Sequence, residues 1–225
     1  MGQVAAALQK NLLFRNKTED EIDSLLSRIQ TSLRSFNKNE IIVTEGEPAT
    51  MMGVVISGTV EIQKIHSTGK SITVSRFTTG STFGEAVVFS KSNLYPATVI
   101  SADVSSVLVF PKQQLLKLFA MDTDIMVMFM QNMSERLVLL NQKIEILSLG
   151  SLRQRIAYFL LKESKKQKTE CISIPFSKRV WAEHLNSARP SLSRELMFMR
   201  DQGWISFDDT TVTIIALDAL ERLLE

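Results

Sequence analysis

Ser177-Lys-Arg-Val-Trp-Ala-Glu-His-Leu-Asn-Ser-Ala-Arg-Pro-Ser-Leu-Ser-Arg-Glu-Leu196 reads as two helices separated by a tight turn. Ser177 is placed to cap the first helix, whose apolar residues are Val180, Trp181, Ala182 and Leu185. Ala182 stands four residues before Asn186. A small side chain there lets two helices approach closely, and asparagine tolerates the left-handed backbone of a tight turn. Ser187 is then expected to cap the second helix, with Pro190 accepted in its first turn. Leu192, Leu196 and Met199 give that helix one apolar side, while Arg189, Ser191, Ser193 and Arg194 fall largely on the other. From Phe176 to Phe207 the spacing predicts a helix–turn–helix followed by a β-wing. Such a second helix suits the major groove of DNA, where the residues near its N-terminus touch base edges.

The charge distribution agrees with that expectation. Net charge is only +2, but residues 1–150 hold 14 basic and 14 acidic side chains, whereas residues 151–200 hold 11 basic and 4 acidic. The excess of seven positive charges lies on and just before the helix–turn–helix. A localised positive face is what attraction to phosphate requires. A solvated helix face is the competing explanation for the lysine run Lys162–Lys168.

With 225 residues the chain has room for two small domains. No apolar run reaches the roughly 18 residues of a membrane span. Met1 to Lys10 lacks a charged start and a long apolar stretch, so no signal peptide is expected. The single cysteine, Cys171, supplies no disulfide framework, cysteine-ligated cluster or zinc site. A cytoplasmic protein with no membrane partner is the expectation. Asn16-Lys17-Thr18 matches a glycosylation sequon, and chance explains it.

Upstream, three kinds of pattern succeed one another. Residues 8–35 read as a helical lead-in: Thr18-Glu-Asp-Glu21 places a capping residue before acids, and Ile22, Leu25, Leu26 and Ile29 follow at helical spacing. Residues 36–112 change period. Val54-Val-Ile56, Val60-Glu-Ile62, Ile72-Thr-Val74, Thr98-Val-Ile100 and Val107-Leu-Val109 are short β-rich runs, separated by Gly46, Gly58, Gly69, Gly80 and Gly84. Many short strands with regular turns predict an antiparallel sandwich or roll. Lys38-Asn39 and Ser67-Thr-Gly69 are candidate turns.

Residues 121–148 predict one long helix. Met126, Met130, Met133, Leu137, Leu140, Ile144 and Leu147 step by four and three in strict alternation, which is a heptad seam. Ile125, Phe129, Leu139 and Ile146 form a second apolar side, expected to pack on the sheet domain. The 3.5-residue period favours pairing with a second copy; a helix buried on both sides within one monomer is the alternative. Ser148-Leu-Gly-Ser151 is the expected hinge, after which Leu152 to Glu163 resumes as helix. At the far end, Trp204-Ile-Ser-Phe207 and Thr211-Val-Thr-Ile214 flank Asp208-Asp-Thr210 as the two strands of the wing, and Leu217 to Leu224 closes the chain as a helix.

Taken in this order, roll, long helix and winged helix–turn–helix, the chain resembles the Crp/Fnr family of bacterial transcription regulators. The resemblance rests on Gly46-Glu-Pro48, Met52-Gly-Val-Val-Ile-Ser-Gly-Thr-Val60, Gly80-Ser-Thr-Phe-Gly-Glu85 and Tyr95-Pro-Ala-Thr-Val99 in the roll. In the last part it rests on Arg155-Ile-Ala157 and Ala188-Arg-Pro-Ser-Leu-Ser-Arg194. It implies an α+β architecture: a double-stranded β-helix (jelly-roll, cyclic-nucleotide-binding-like) sensor over residues 1–120, a dimerisation helix over 121–149 and a DNA-binding winged helix–turn–helix over 150–225. It also implies a homodimer on a partly palindromic double-stranded operator, with half-sites about one helical turn apart and RNA polymerase as a further partner. Lys178, Ser187, Arg189, Pro190, Ser191 and Arg194 are the expected DNA-binding set. Arg189 and Arg194 match the two arginines that reach bases and phosphates, since the guanidinium fork suits guanine O6 and N7. Where the family often has a glutamate between them, this chain has Pro190, so operator sequence does not transfer. Glu195 also departs from the pattern, and Leu196 is placed to take over the packing role. Plain surface ion pairing is the competing account of Arg189 and Arg194.

In the roll, the resemblance breaks at the effector site. Relatives that bind cyclic nucleotide need an arginine after the Gly-Glu motif; the matching residue is Tyr95, followed by Pro96. The pocket glutamate persists as Glu85, while the hydroxyl offered to the base is replaced by Leu140, with Asn141 beside it. A buried phosphate without a cation is costly, so cyclic AMP is not expected to bind. A different small molecule remains open, and its expected site is formed by Phe83, Glu85, Tyr95, Leu137, Leu140 and Asn141. Methionine adapts to irregular ligands, although a methionine stripe is more often core. Regulation by abundance or by another surface contact is the alternative to any ligand.

Other chemistry finds little support. One cysteine excludes an iron–sulfur sensor. His66 is the one histidine in reach of a haem in the roll or on the long helix, and its turn context reads as exposure; His184 reads as packing or surface. Ser67-Thr-Gly-Lys-Ser71 imitates the tail of a phosphate-binding loop, but Lys64 stands where the first glycine belongs. Two histidines in separate segments do not make a cupin-type metal site, and no nucleophile–base pair is visible. No catalytic residue, metal or cofactor is therefore expected. The rival class is a dimeric ligand-sensing module whose winged helix contacts protein rather than DNA.

Overall fold

The computed structural model describes residues 2–65 and 71–225. His66, the Ser67-Thr-Gly69 turn and most of the Ser67–Ser71 loop lie outside the described residues. Two compact units divide the chain, one ending at Glu135 and the other spanning Arg136–Glu225.

The first unit opens with helices α1 (Gly2–Gln9) and α2 (Glu19–Ser27). Thr18 and Glu21 form the expected capping box on α2. The lead-in is not helical throughout, as the sequence suggested: turns occupy the gap between α1 and α2, and Ser32–Phe36 is strand β1. Five paired residues on strand β8 (Ser105–Pro111) hold β1 extended, a long-range constraint that helical spacing does not reveal. The remaining elements are β2 (Ile41–Val43), β3 (Met51–Ser57), β4 (Val60–Ile65), β5 (Ser71–Phe77), β6 (Thr82–Phe83), α3 (Glu85–Val88), β7 (Thr98–Ser101) and α4 (Lys112–Met121).

All ladders are antiparallel, in two four-stranded sheets ordered β1-β8-β3-β6 and β2-β7-β4-β5. Strands β3 and β8 are covered on both faces. Met52, Val54, Ile56, Leu108 and Phe110 join a core with the helices, while Val55, Val107 and Val109 join Val60, Val99, Phe83 and Tyr95 in the roll interior. Burial on both faces explains why these runs are continuously apolar instead of alternating. Gly53 is required by close approach: a Cβ there would overlap the Phe83 ring.

Helix α5 spans Thr123–Ser148, and the division between units falls inside it. Ile125 is fully buried in the first core, and Phe129 packs against Phe89 and Phe119 at ring distances of 5.6 and 5.1 Å. Ile146 is buried in the second unit instead. Leu139 does not share their packing: it is 63% exposed, within a stretch from Ser134 to Glu145 where every residue except Gln142 is exposed. Along the heptad seam Met126 and Met133 are half-buried, whereas Met130, Leu137, Leu140, Ile144 and Leu147 are exposed.

In the second unit, Ser151 and Gln154 form a capping box that starts α6 (Leu152–Gln167). There follow β9 (Cys171–Ser173), α7 (Lys178–His184), α8 (Arg189–Asp201), β10 (Ile205–Phe207), β11 (Thr211–Ile214) and α9 (Leu217–Arg222). The sheet order is β10-β11-β9, so the wing carries a third strand that the sequence did not signal. Only Ile172 of β9 is buried, which leaves too short an alternation to read. The core gathers Ile156, Phe159, Leu160, Trp181, Ala182, Leu185, Leu192, Leu196, Met199 and both wing strands.

Candidate nucleic-acid interface

Ser177 accepts a hydrogen bond from the Val180 amide and starts α7 as predicted. The turn to α8 differs in one respect. Asn186 takes the left-handed conformation, with φ 50°. Its amide donates to the Glu183 carbonyl at 3.1 Å, and the Ser187 amide donates to the Ala182 carbonyl at 2.9 Å. These two bonds close the C-terminus of α7 as a Schellman motif. The Ser187 hydroxyl also donates to the Ala182 carbonyl, at 3.4 Å. Ser187 is therefore committed to the end of α7 and does not cap α8. The N-cap residue of α8 is Ala188, which offers no side-chain bond. Pro190 in the first turn has no amide hydrogen to satisfy there.

Helix α8 buries Leu192, Leu196 and Met199, which leaves Arg189, Pro190, Arg194 and Met197 exposed and Ser191 half-exposed. Arg194 donates to the Ser191 hydroxyl at 3.4 Å. Among the described residues no carboxylate forms an ion pair with Arg189 or Arg194. Neighbouring cations do have partners: Arg179 lies 3.7 Å from Glu183, Arg200 2.9 Å from Asp201, and Lys178 3.7 Å from Asp209. Lys178 also stands over the Phe207 ring at 5.5 Å, which draws it toward the wing. At the wing tip Asp208 accepts from the amides of Thr210 and Thr211, both at 2.7 Å, and these bonds hold its carboxyl down at about 2. His184 stands edge-on to Phe159 at 5.8 Å, and partial burial lowers its pKa.

Glu195, singled out as a departure from the family pattern, accepts from Arg153 Nε at 2.9 Å. Leu196 takes the packing role and is 1% exposed. The sequence marks Glu195 but not its partner, because Arg153 lies 42 residues away on α6. Arg155 donates from Nε to the Leu149 carbonyl and from an Nη to the Leu185 carbonyl, each at 3.2 Å. One guanidinium thus ties the segment between α5 and α6 to the end of α7.

In the roll, Phe83 and Tyr95 meet in one buried cluster. The Tyr95 hydroxyl donates to the Met51 carbonyl at 2.7 Å, and burial pushes its pKa up to about 12. Glu85 is buried at the first residue of α3. Leu137, Leu140 and Asn141 belong to the second unit and are exposed. No helix among the described residues is long and apolar enough to cross a membrane.

Two domain families match the chain. Residues 33–122 match the cyclic nucleotide-binding domain and residues 154–223 the Crp-like helix-turn-helix domain. The anaerobic regulatory protein of Bacillus subtilis is 27% identical over 200 residues, covering 87% of this chain and 84% of that one. The global nitrogen regulator of a Nostoc species is 23% identical over 189 residues, covering 81% and 84%. The crystal structure of the Thermus thermophilus catabolite activator protein shares the fold, with a TM-score of 0.55 at 22% identity over 95% of this chain and 98% of that one. Sensor-type roll and helix–turn–helix together define a transcription regulator. The chain belongs to the Crp/Fnr family.

Proposed function

We propose that this protein is a cytoplasmic, homodimeric regulator that reads a specific DNA operator with α8. The observation that carries the reading is the pair Arg189 and Arg194, exposed on a helix packed by Leu192, Leu196 and Met199, in the segment that holds the chain's basic excess. Arg189 and Arg194 contact base edges or phosphates, Pro190 offers an apolar surface to a thymine methyl, and Ser191 and Ser187 lie alongside. Lys178 stands near the wing, where its charge is shared with Asp209. Seam residues Met126, Met130, Met133, Leu137, Leu140, Ile144 and Leu147 meet the same residues of a second copy. Exposure of five of these seven apolar side chains supports that reading, because an apolar stripe in water is stabilised by burial against another helix.

Regulation works through the segment Ser148–Ser151. Arg155 links that segment to the end of α7, so a change of hinge geometry reaches the recognition helix. An input acts only if it binds the two arrangements with different affinity. Cyclic AMP is not that input, since Tyr95 fills the place of the phosphate-pairing arginine. Another effector of the roll, and contact with RNA polymerase, complete the reading.

A second reading, protein contact through the winged helix, draws support from the acidic wing tip, where Asp208 and Asp209 disfavour an approaching phosphate. Binding to random duplex as a function of salt separates the two. A DNA reader loses affinity steeply as salt rises, through counterion release. No binding at low salt favours the protein-contact reading.

A further inference from the structure

Resting on the proposal that α8 reads DNA, we infer that Arg153 is a positioning residue for operator recognition: it clamps one flank of α8 and sets how that helix is rolled about its own axis. Arg153 is the second residue of α6. A cation in a first turn faces the positive end of the helix dipole, so α6 itself gains nothing from it. Its guanidinium is instead spent on α8. Nε donates to Glu195 at 2.9 Å, and the planar group lies 3.8 Å from the centroid of the Phe198 ring. Both side chains of the ion pair are about two-thirds buried, with 32% and 29% exposure. Trp204 backs the Phe198 ring edge-on at 5.8 Å.

Glu195 and Phe198 are three residues apart, so they share a helix face. That face flanks the buried stripe of Leu192, Leu196 and Met199. The apolar stripe fixes which face of α8 is inward, and a hydrogen-bonded guanidinium over an aromatic ring adds a directional constraint against small rolls. Rolling α8 by about 15° carries a side-chain end roughly 6 Å from the axis through about 1.5 Å, given helix geometry. That is enough to break hydrogen bonds to base edges, whereas phosphate attraction survives it. The clamp therefore acts on the preference for operator over random duplex, not on general affinity for DNA. It also accounts for the departure at Glu195: the carboxylate is there to receive Arg153.

The test measures affinity for a selected operator and for random duplex, across a salt series, with the full-length protein and the variants Arg153→Ala, Arg153→Lys, Glu195→Ala and the exchange R153E/E195R. Melting curves fix an assay temperature at which every variant is folded, and Arg153→Lys keeps the charge should the alanine variant be too unstable. The expected result is that Arg153→Ala, Arg153→Lys and Glu195→Ala each lower the operator-to-random ratio by about tenfold, the scale of one misplaced base contact, with the salt slope unchanged. The exchange recovers part of the ratio. An unchanged ratio in the single variants overturns the inference. So does an equal loss on both duplexes with a shallower salt slope in Arg153→Ala, which makes Arg153 a phosphate contact. A wild-type protein without operator preference sinks the DNA-reading proposal itself, and the inference with it.

Discussion

The hydroxyl of Tyr95 is hydrogen-bonded to the carbonyl of Met51 at 2.7 Å, with its ring buried beside Phe83 in the roll interior. A neutral phenol anchored to backbone cannot pair with a phosphate. Isothermal calorimetry with cyclic AMP is expected to give no binding heat at micromolar concentrations. Micromolar or tighter binding would show that another cation meets the phosphate.

Burial of the same side chain predicts a pH dependence. Burial holds the Tyr95 phenol neutral up to about 12, against 10.0 for a free tyrosine. The folded state thus favours the protonated form. Its contribution is complete below pH 10 and lost progressively as pH rises toward 12. Tyr95→Phe is expected to cost about 1 kcal/mol at neutral pH through the lost hydrogen bond. Its melting temperature should then fall less than the wild type's between pH 10 and 12. Parallel alkaline limbs in the two proteins would contradict the assignment.

Leu140→Glu tests the seam. Leu140 is 55% exposed, so the substitution leaves the fold of one chain intact. Placed in a helix pair, the charge is desolvated and opposed by its own symmetry mate. Sedimentation should show monomers at concentrations where the wild type is dimeric. A variant that sediments as a dimer would refute the proposed seam.

Arg194→Ala is expected to cost about 1–3 kcal/mol of operator binding. Because Arg194 is exposed and bonded only weakly to Ser191, its melting temperature should barely change. Unaltered operator affinity would remove it from the contacts with bases and phosphates.

Where local chemistry decides structure, the sequence was a good guide. The capping box at Thr18, the left-handed Asn186, Pro190 in the first turn of α8, the buried face of α8 and the burial of Trp181, Ala182 and Leu185 at α7 follow from residue type and spacing, whereas Val180 of the same apolar set is exposed. Long-range pairing was not legible. Strand β1 was hidden in an apparent helix, and β9 was too short to signal itself. Ser187 illustrates a choice between two helix ends: the residue suits an N-cap, yet the Schellman closure of α7 takes its amide and hydroxyl. Leu139 carried the spacing of a packed side but is 63% exposed, in a stretch of α5 where nearly every residue is exposed. For the candidate interface, Arg189 and Arg194 were named from the sequence, while Arg153, which braces their helix, became visible only through its bond to Glu195.

Selection of DNA fragments from a random pool by the purified protein, followed by sequencing, tests the central claim most directly. Two symmetry-related copies of α8 in successive major grooves predict an enriched, partly palindromic site with half-sites about 10–10.5 base pairs apart, centre to centre. Failure to enrich any sequence, or enrichment of a single site without dyad symmetry, would contradict it.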